Sequence, residues 1–462
     1  MIDVLPDNVL LEIFDFYKDD LINRSNFTWH WETLTQVCRR WRDVVLGSPR
    51  RLDLRLVCTS TTPTSRLLDI WPPFPITVLL PSPFPGVNKG DVKNLIAALE
   101  HRDRISKIYI FDICGPVLEK LVTVLHKPLP VLTEFSLWST DVSVPVLPET
   151  FLGGFAPRLR SFVLRGIPFP SFHKFILCFT HIVALHLFEI PSSGYTSPEV
   201  MVASLAALPN LEFLSIGFRS PPPRLLQSSP PHLARTALPA LSYLTFSGVS
   251  EYLEDFVARI HTPCLTLLSI TFFMDLIFDI PRLRNFIDHI EGLKYFYQAV
   301  IWFSSQTIEI VLGSSPRLEL KIRCERPDWQ LSSMTQIFGQ QLLLLSFVEQ
   351  LKISESPSSL GELEWKDDPD MDPSQWLELF RLFVAVHGLH ISERLLSPVS
   401  RALQDLTGQM ATEVLPVLRT ISLEGPHQSG PVHEAMMSFA TARQLSHQPI
   451  VIQQREGWEP LS

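Results

Sequence analysis

One six-residue phrase recurs along the middle of the chain, with apolar residues at its first, fourth and sixth places. It constrains the fold more than any other feature. It runs Ile105, Ile108, Ile110; Leu132, Phe135, Leu137; Leu159, Phe162, Leu164; Ile182, Leu185, Leu187; Leu211, Leu214, Ile216; Leu241, Leu244, Phe246; and Leu265, Leu268, Ile270. From Leu132 the leading positions are 27, 23, 29, 30 and 24 residues apart, and Pro130, Pro157, Pro209, Pro239 and Pro263 each stand two residues ahead. The fourth and sixth places point to one face of an extended segment, so each phrase reads as a strand, and the proline marks the turn that precedes it. One such strand cannot bury its apolar face alone; stacking successive copies does.

The period is similar to that of a leucine-rich repeat. The fold then expected is a curved parallel sheet with a helical or irregular return segment behind each strand. Residues 199–208 and 252–260 have the three-and-four spacing of such return helices. The array departs from regular repeats in lacking the asparagine that normally follows the strand. The prolines of 221–231 read as an exposed excursion, because consecutive prolines continue neither helix nor ladder. The phrase resumes at Val348, Leu351, Ile353, followed by a polar stretch over 354–372 that reads as a solvated acidic loop. Beyond it, residues 376–383, 386–391, 395–406, 415–423 and 431–445 read as two more helix–strand units and a final helix. A generic α/β domain whose strands merely resemble one another is the alternative reading.

The N-terminus follows a different pattern. Pro6 suits the first turn of a helix, where its missing N–H would have no partner. Val9, Leu10, Ile13, Phe14 and Tyr17 then line one helical face, and Leu34, Val37, Cys38, Trp41, Val44 and Val45 repeat that spacing before Gly47, Ser48 and Pro49. Two short helices are expected, too small to bury a seam and a second face, so that some of Leu5, Leu10, Ile13 and Trp41 stay exposed unless a partner covers them. Packing of both helices onto the rest of the chain is the alternative.

Leu5-Pro6, Leu10-Leu11 with Ile13-Phe14, and Val37-Cys38-Arg39 with Trp41 together resemble an F-box. The stretches 411–418 and 439–445 resemble the C-terminal region of mushroom-type fungal F-box proteins. The resemblance implies an α/β chain with an N-terminal helical F-box over 1–46, a linking segment with the first irregular repeats over 47–104, and an irregular leucine-rich-repeat-like solenoid over 105–462. It further implies that Leu5, Pro6, Leu10, Ile13, Phe14, Leu34, Val37, Cys38 and Trp41 lie at or beneath a surface that docks a Skp-type adaptor. Through that adaptor the chain would reach a cullin, while the repeats capture an unknown protein substrate. Phe14 and Val37 are 23 positions apart, longer than the usual motif, with polar residues at 18–20 and 23–26 in the excess.

Composition narrows the remaining classes. Hydrophobic residues at 46% and charged residues at 19% place the chain with ordered proteins. A net charge of −9 argues against sequence-independent nucleic-acid binding. The local run Arg39, Arg40, Arg42, Arg50, Arg51, Arg55 reads as a solvated face, with phosphate contacts the lesser alternative. The first residues show no basic start or apolar core of a signal peptide, and residues 295–312, the nearest approach to a membrane span, are broken by Ser304, Ser305, Gln306, Thr307 and Glu309. A cytoplasmic or nuclear protein with no membrane partner is expected. The six cysteines are scattered, with no Cys-x-x-Cys pair, and read as reduced, mostly buried thiols.

No phosphate loop, dinucleotide fingerprint, nucleophile elbow or His-Glu-x-x-His helix occurs in the sequence. His387 and His390 would lie on opposite faces of one strand, and Cys38 reads as a packing residue. The expectation is a receptor with no catalytic residue, cofactor or metal. A scaffold acting outside ubiquitin ligation, or a hydrolase with scattered active-site residues, are the alternatives.

Overall fold

The computed structural model describes residues 5–22, 30–48, 54–81, 88–169, 172–176, 179–220, 235–273, 280–324, 327–339, 343–356, 372–425 and 430–455. The expected proline-rich excursion at 221–231, most of the acidic loop and Cys178 lie outside them. The chain divides into two compact units, one of Met1–Thr196 with Ala207–Leu211, the other of Ser197–Ala206 with Glu212–Ser462.

The first unit opens with helices α1 (Asp7–Ile22), α2 (His30–Val37) and α3 (Arg39–Leu46). The second apolar segment is therefore two helices, not one. Cys38 is extended, at φ −157° and ψ 170°, and its Sγ accepts the Trp41 N–H at 3.4 Å, so the residue at the middle of the predicted helix is the N-cap of α3.

The sheet begins earlier than the repeat phrase suggests, with β1 (Leu54–Val57) and β2 (Ile76–Leu80) ahead of β3 (Ile105–Ile110), β4 (Glu134–Trp138), β5 (Ser161–Arg165) and β6 (Ala184–Ile190). Each pairs in parallel with the next. Phe135, Phe162 and Leu185 are aligned in register, as are Leu137, Leu164 and Leu187, and all six are buried. The Phe162 ring stacks on Phe135 at 5.6 Å and on Phe179 at 5.6 Å.

Main chain and a hydroxyl join the turns that lead into β4, β5 and β6. The Thr133 carbonyl accepts the N–H groups of both Arg160 and Ser161, at 2.8 and 3.1 Å, and the Arg160 carbonyl does the same for Val183 and Ala184. Thr133 Oγ1 reaches back to the Ser106 carbonyl at 2.9 Å. The residue just after the leading apolar position thus ties one repeat to the next without a side-chain amide.

In the second unit the strands are β7 (Phe213–Phe218), β8 (Thr236–Ala237), β9 (Tyr243–Gly248), β10 (Ile260–His261), β11 (Leu267–Phe272), β12 (Gln298–Phe303), β13 (Thr307–Leu312), β14 (Arg317–Arg323), β15 (Gln350–Glu355), β16 (Gly388–Ile391), β17 (Thr420–Glu424) and β18 (Val451–Arg455). Here the expectation of a purely parallel sheet fails. The order runs β11, β14, β13, β12, β15, with β13 antiparallel to both its neighbours. β14 continues the parallel run from β11, and β12 hands it on to β15. Residues 295–312 are therefore a strand, a turn and a strand: Ser304 to Gln306 reverse the chain, and Ser304 N–H bonds the Thr307 carbonyl at 2.9 Å. Gly313, at φ +71°, makes the second reversal, where a Cβ would come within 2.5 Å of the Pro316 carbonyl oxygen.

The return helix predicted over 252–260 is Ser250–Val257, and the one predicted over 199–208 is Pro198–Leu205. The buried Glu254 caps the helix that follows, Pro281–Asp288: its carboxylate accepts the N–H groups of Arg282 and Leu283 at 2.8 and 2.7 Å. That helix has no capping side chain of its own. Glu254→Ala should therefore destabilise the second unit by about 1–3 kcal/mol, read as a lowered urea midpoint, because two helix-terminal donors lose an anionic acceptor. An unchanged midpoint would contradict the assignment. Downstream of residue 372, β18 follows the final helix Pro431–Leu445, so the C-terminal region holds three strands, not the two expected.

Candidate functional site

Pro6 starts α1 as expected, its carbonyl accepting the N–H groups of Val9 and Leu10 at 3.0 and 3.1 Å. The three N-terminal helices then close on a core of their own, made of Leu10, Phe14, Leu34, Val44 and Val45, with Leu5, Leu11 and Trp41 packed against it. The Phe14 and Trp41 rings meet at 4.8 Å. Arg40 fastens the start of α1 to α3, donating to the Leu5 carbonyl and lying 2.9 Å from the Asp7 carboxylate.

The nine residues singled out in the sequence fall together in this module and divide by depth. Leu10, Phe14 and Leu34 are buried, Leu5, Cys38 and Trp41 half-buried, and Pro6 exposed. Ile13 and Val37 remain 45% and 57% exposed. Leu10, expected among the residues left bare, is fully buried, a correction that follows from helix geometry. Leu10 and Phe14 are four residues apart on the inward stripe, whereas Ile13 stands about 100° away from Phe14 around the helix. Of the nine motif residues, Ile13 and Val37 are the large apolar ones left exposed, and Arg39 and Arg42, two and five positions after Val37, are exposed as well.

A second surface lies on the face of the first unit's sheet turned away from its core. Trp138, Arg165 and Phe188 are in register, each standing immediately after its six-residue phrase. The Arg165 guanidinium lies 5.3 Å over the Trp138 ring, with Nη2 2.7 Å from Glu189 Oε1. Phe111 meets Trp138 edge-on at 4.8 Å, and Phe188 stacks on His186 at 5.7 Å. Burial holds the His186 imidazole below its usual pKa. Trp and Arg held by neighbours are the residue types that dominate protein interfaces. The signal was present in the residue after each phrase, where tryptophan, arginine and phenylalanine replace the small or hydroxyl residues of later repeats.

The remaining chemical candidates are scattered. His390 lies in β16 with its Nε2 3.7 Å from Glu424, and His387 stands just before that strand, 3.0 Å from the Gln350 amide. Cys58 and Cys324 are buried, Cys38 half-buried, and Cys114 and Cys264 exposed, so the thiols are less buried than expected. Burial, reinforced by Asp91, pushes the Cys58 thiol up to about 12, which leaves it protonated and inert. Among the described residues no three histidine, cysteine or acidic side chains are grouped to hold a metal ion, and no helix is long and apolar enough to cross a membrane.

No family model and no curated protein matches this chain. Among solved structures it is similar to the leucine-rich repeat-containing protein LegL7 from Legionella pneumophila, with a TM-score of 0.31 and 11% identity, over 87% of this chain and 99% of that one.

Proposed function

We propose that the chain is a non-catalytic receptor that docks a Skp-type adaptor through α1–α3 and captures a protein substrate on its repeats, thereby joining that substrate to a cullin ubiquitin ligase. The observation that carries this reading is the division of the N-terminal module: a self-contained apolar core with Ile13 and Val37 left outside it. Ile13 and Val37 are the side chains of this module that a docked partner would cover. The motif residues of the F-box resemblance supply the identity of the cover. The row Trp138, Arg165, Phe188 is the surface offered to the substrate. Transfer chemistry belongs to the partners, and the receptor contributes proximity by raising the effective concentration of substrate near the conjugating enzyme.

The test is binding of the full chain to purified Skp-type adaptor, with Ile13→Ala and Val37→Ala combined. Loss of the two exposed anchors should weaken binding by about 2–4 kcal/mol while leaving the helical signal and urea midpoint unchanged. Leu10→Ala is unsuitable, because it empties the module's core. Absence of binding by the folded wild type rejects the adaptor. Binding of the adaptor without cullin in the reconstituted complex assigns the chain to scaffolding outside ubiquitin ligation.

A further inference from the structure

We infer that the row Trp138, Arg165, Phe188 captures an unphosphorylated extended segment in which lysines or arginines alternate with apolar residues; this rests on the row being the substrate surface proposed above, not on the adaptor. Strands β3 to β6 run parallel, so all of them enter the sheet at one edge and leave it at the other. The two edges differ in charge. The turns that lead in, 100–104, 125–133, 155–160 and 177–183, hold Arg102, Arg104, Lys127, Arg158 and Arg160 against Glu100 and Asp103. The connections that lead out, 111–114, 139–150, 166–171 and 191–196, hold Asp112, Asp141 and Glu149 and neither lysine nor arginine. The row stands at this second, acidic edge: Phe111 follows β3, Trp138 and Arg165 end β4 and β5, and Phe188 lies two residues before the end of β6.

Asp112 and Glu189 come directly after Phe111 and Phe188, both left-handed, at φ +52° and +50°. An acidic residue thus follows the aromatic one at either end of the row, in a backbone conformation that few side chains favour. Arg165 is matched inside the row, its Nε and Nη2 donating to Glu189 Oε1 at 3.1 and 2.7 Å, and Lys174 meets Glu149 at 3.1 Å. With those two cations set against Asp112, Asp141, Glu149 and Glu189, the edge keeps two negative charges in excess. A phosphorylated segment would add negative charge to that excess. A segment with cations beside apolar side chains complements both the carboxylates and the half-buried rings.

The experiment measures binding of three fluorescent octapeptides to the full chain by anisotropy, with lysine, glutamate or phosphoserine alternating with leucine. The lysine peptide should bind on the order of tenfold more tightly than the other two, and should weaken as salt rises from about 50 to about 500 mM. Trp138→Ala should weaken it on the order of tenfold by removing an aromatic anchor. Asp112→Asn, which tolerates the left-handed conformation, should weaken it severalfold with an unchanged helical signal. Asp288→Asn in the second unit controls for general attraction to a chain of net charge −9 and should leave binding unchanged. No binding of the lysine peptide at about 1 mM overturns the basic segment. So do losses with Trp138→Ala and Asp112→Asn no larger than with Asp288→Asn. Tighter binding of the glutamate or phosphoserine peptide that Trp138→Ala abolishes overturns the charge class but leaves the row as the substrate surface. Binding that Trp138→Ala alters for none of the three peptides overturns both.

Discussion

Arg443→Met is expected to lower the unfolding free energy of the second unit by about 3–5 kcal/mol, measured as a fall in the urea midpoint. Arg443 has no exposed surface, and its guanidinium is bonded to main-chain carbonyls. Its Nη1 donates to the carbonyls of Ala411, Val414 and Leu415 at 2.9, 3.4 and 3.3 Å, and Nη2 to those of Pro416 and Leu418 at 3.5 and 3.2 Å. One guanidinium thereby gathers the carbonyls released where the helix Gly408–Glu413 ends and the chain turns into β17. Leu415 sits in that turn at φ +52°, a left-handed conformation unfavourable for leucine. Its carbonyl is one of those the guanidinium holds. Methionine would fill most of the volume and leave these acceptors buried without a donor, so the loss is polar in origin. Arg443→Lys keeps the charge but presents three donors from a single nitrogen, and should fall between the two. A methionine variant within about 1 kcal/mol of wild type would show that water replaces the guanidinium.

Phe162→Ala should destabilise the first unit by about 3–5 kcal/mol, read by urea denaturation of the full chain. The ring is fully buried, stacked between Phe135 and Phe179 at 5.6 Å on either side. Phe135 itself meets Phe151 edge-on at 5.5 Å. Removing the middle ring opens a cavity bordered by the Phe135 and Phe179 rings, which close-packed surroundings keep from collapsing fully onto one another. Phe162→Leu, which keeps most of the apolar volume, should cost less than half as much. Equal losses for the two variants would mean that ring stacking, not cavity volume, governs the site.

The two residues also mark how far the sequence could be read. Phe162 is the fourth place of a phrase that recurs every 23 to 30 residues, and its burial, its strand and its neighbour Phe135 all follow from period and alternation. The same holds for Pro6 and the start of α1, and for the return helices near 199 and 252. β1 and β2 lie in the 47–104 stretch expected to hold the first irregular repeats, but their strands could not be placed there because the proline-led phrase is missing, although Ile76 to Leu80 are buried at every position. The meander of β12 to β14 was legible in principle: alternating apolar residues over 307–312 and 317–323 flank Gly313, Ser314, Ser315 and Pro316, a turn signal. In the N-terminal helices the sequence singled out a set of residues but not their depths, since spacing could not tell Leu10 from Ile13 before the partner helix was in place.

What the sequence determined by itself is the local grammar: one strand per phrase, its apolar side inward, a turn ahead of it, and amphipathic helices at the start. Those properties depend on side-chain periodicity within a few residues, and periodicity is written along the chain. What only the tertiary structure decided is where a polar group finds its partner across many residues. Cys38 became a cap instead of a helical residue, Glu254 serves a helix 27 positions on, and Arg443 collects carbonyls 25 to 32 positions upstream. A buried polar group must be satisfied by whatever the fold brings near, and no periodic pattern records which residue that will be.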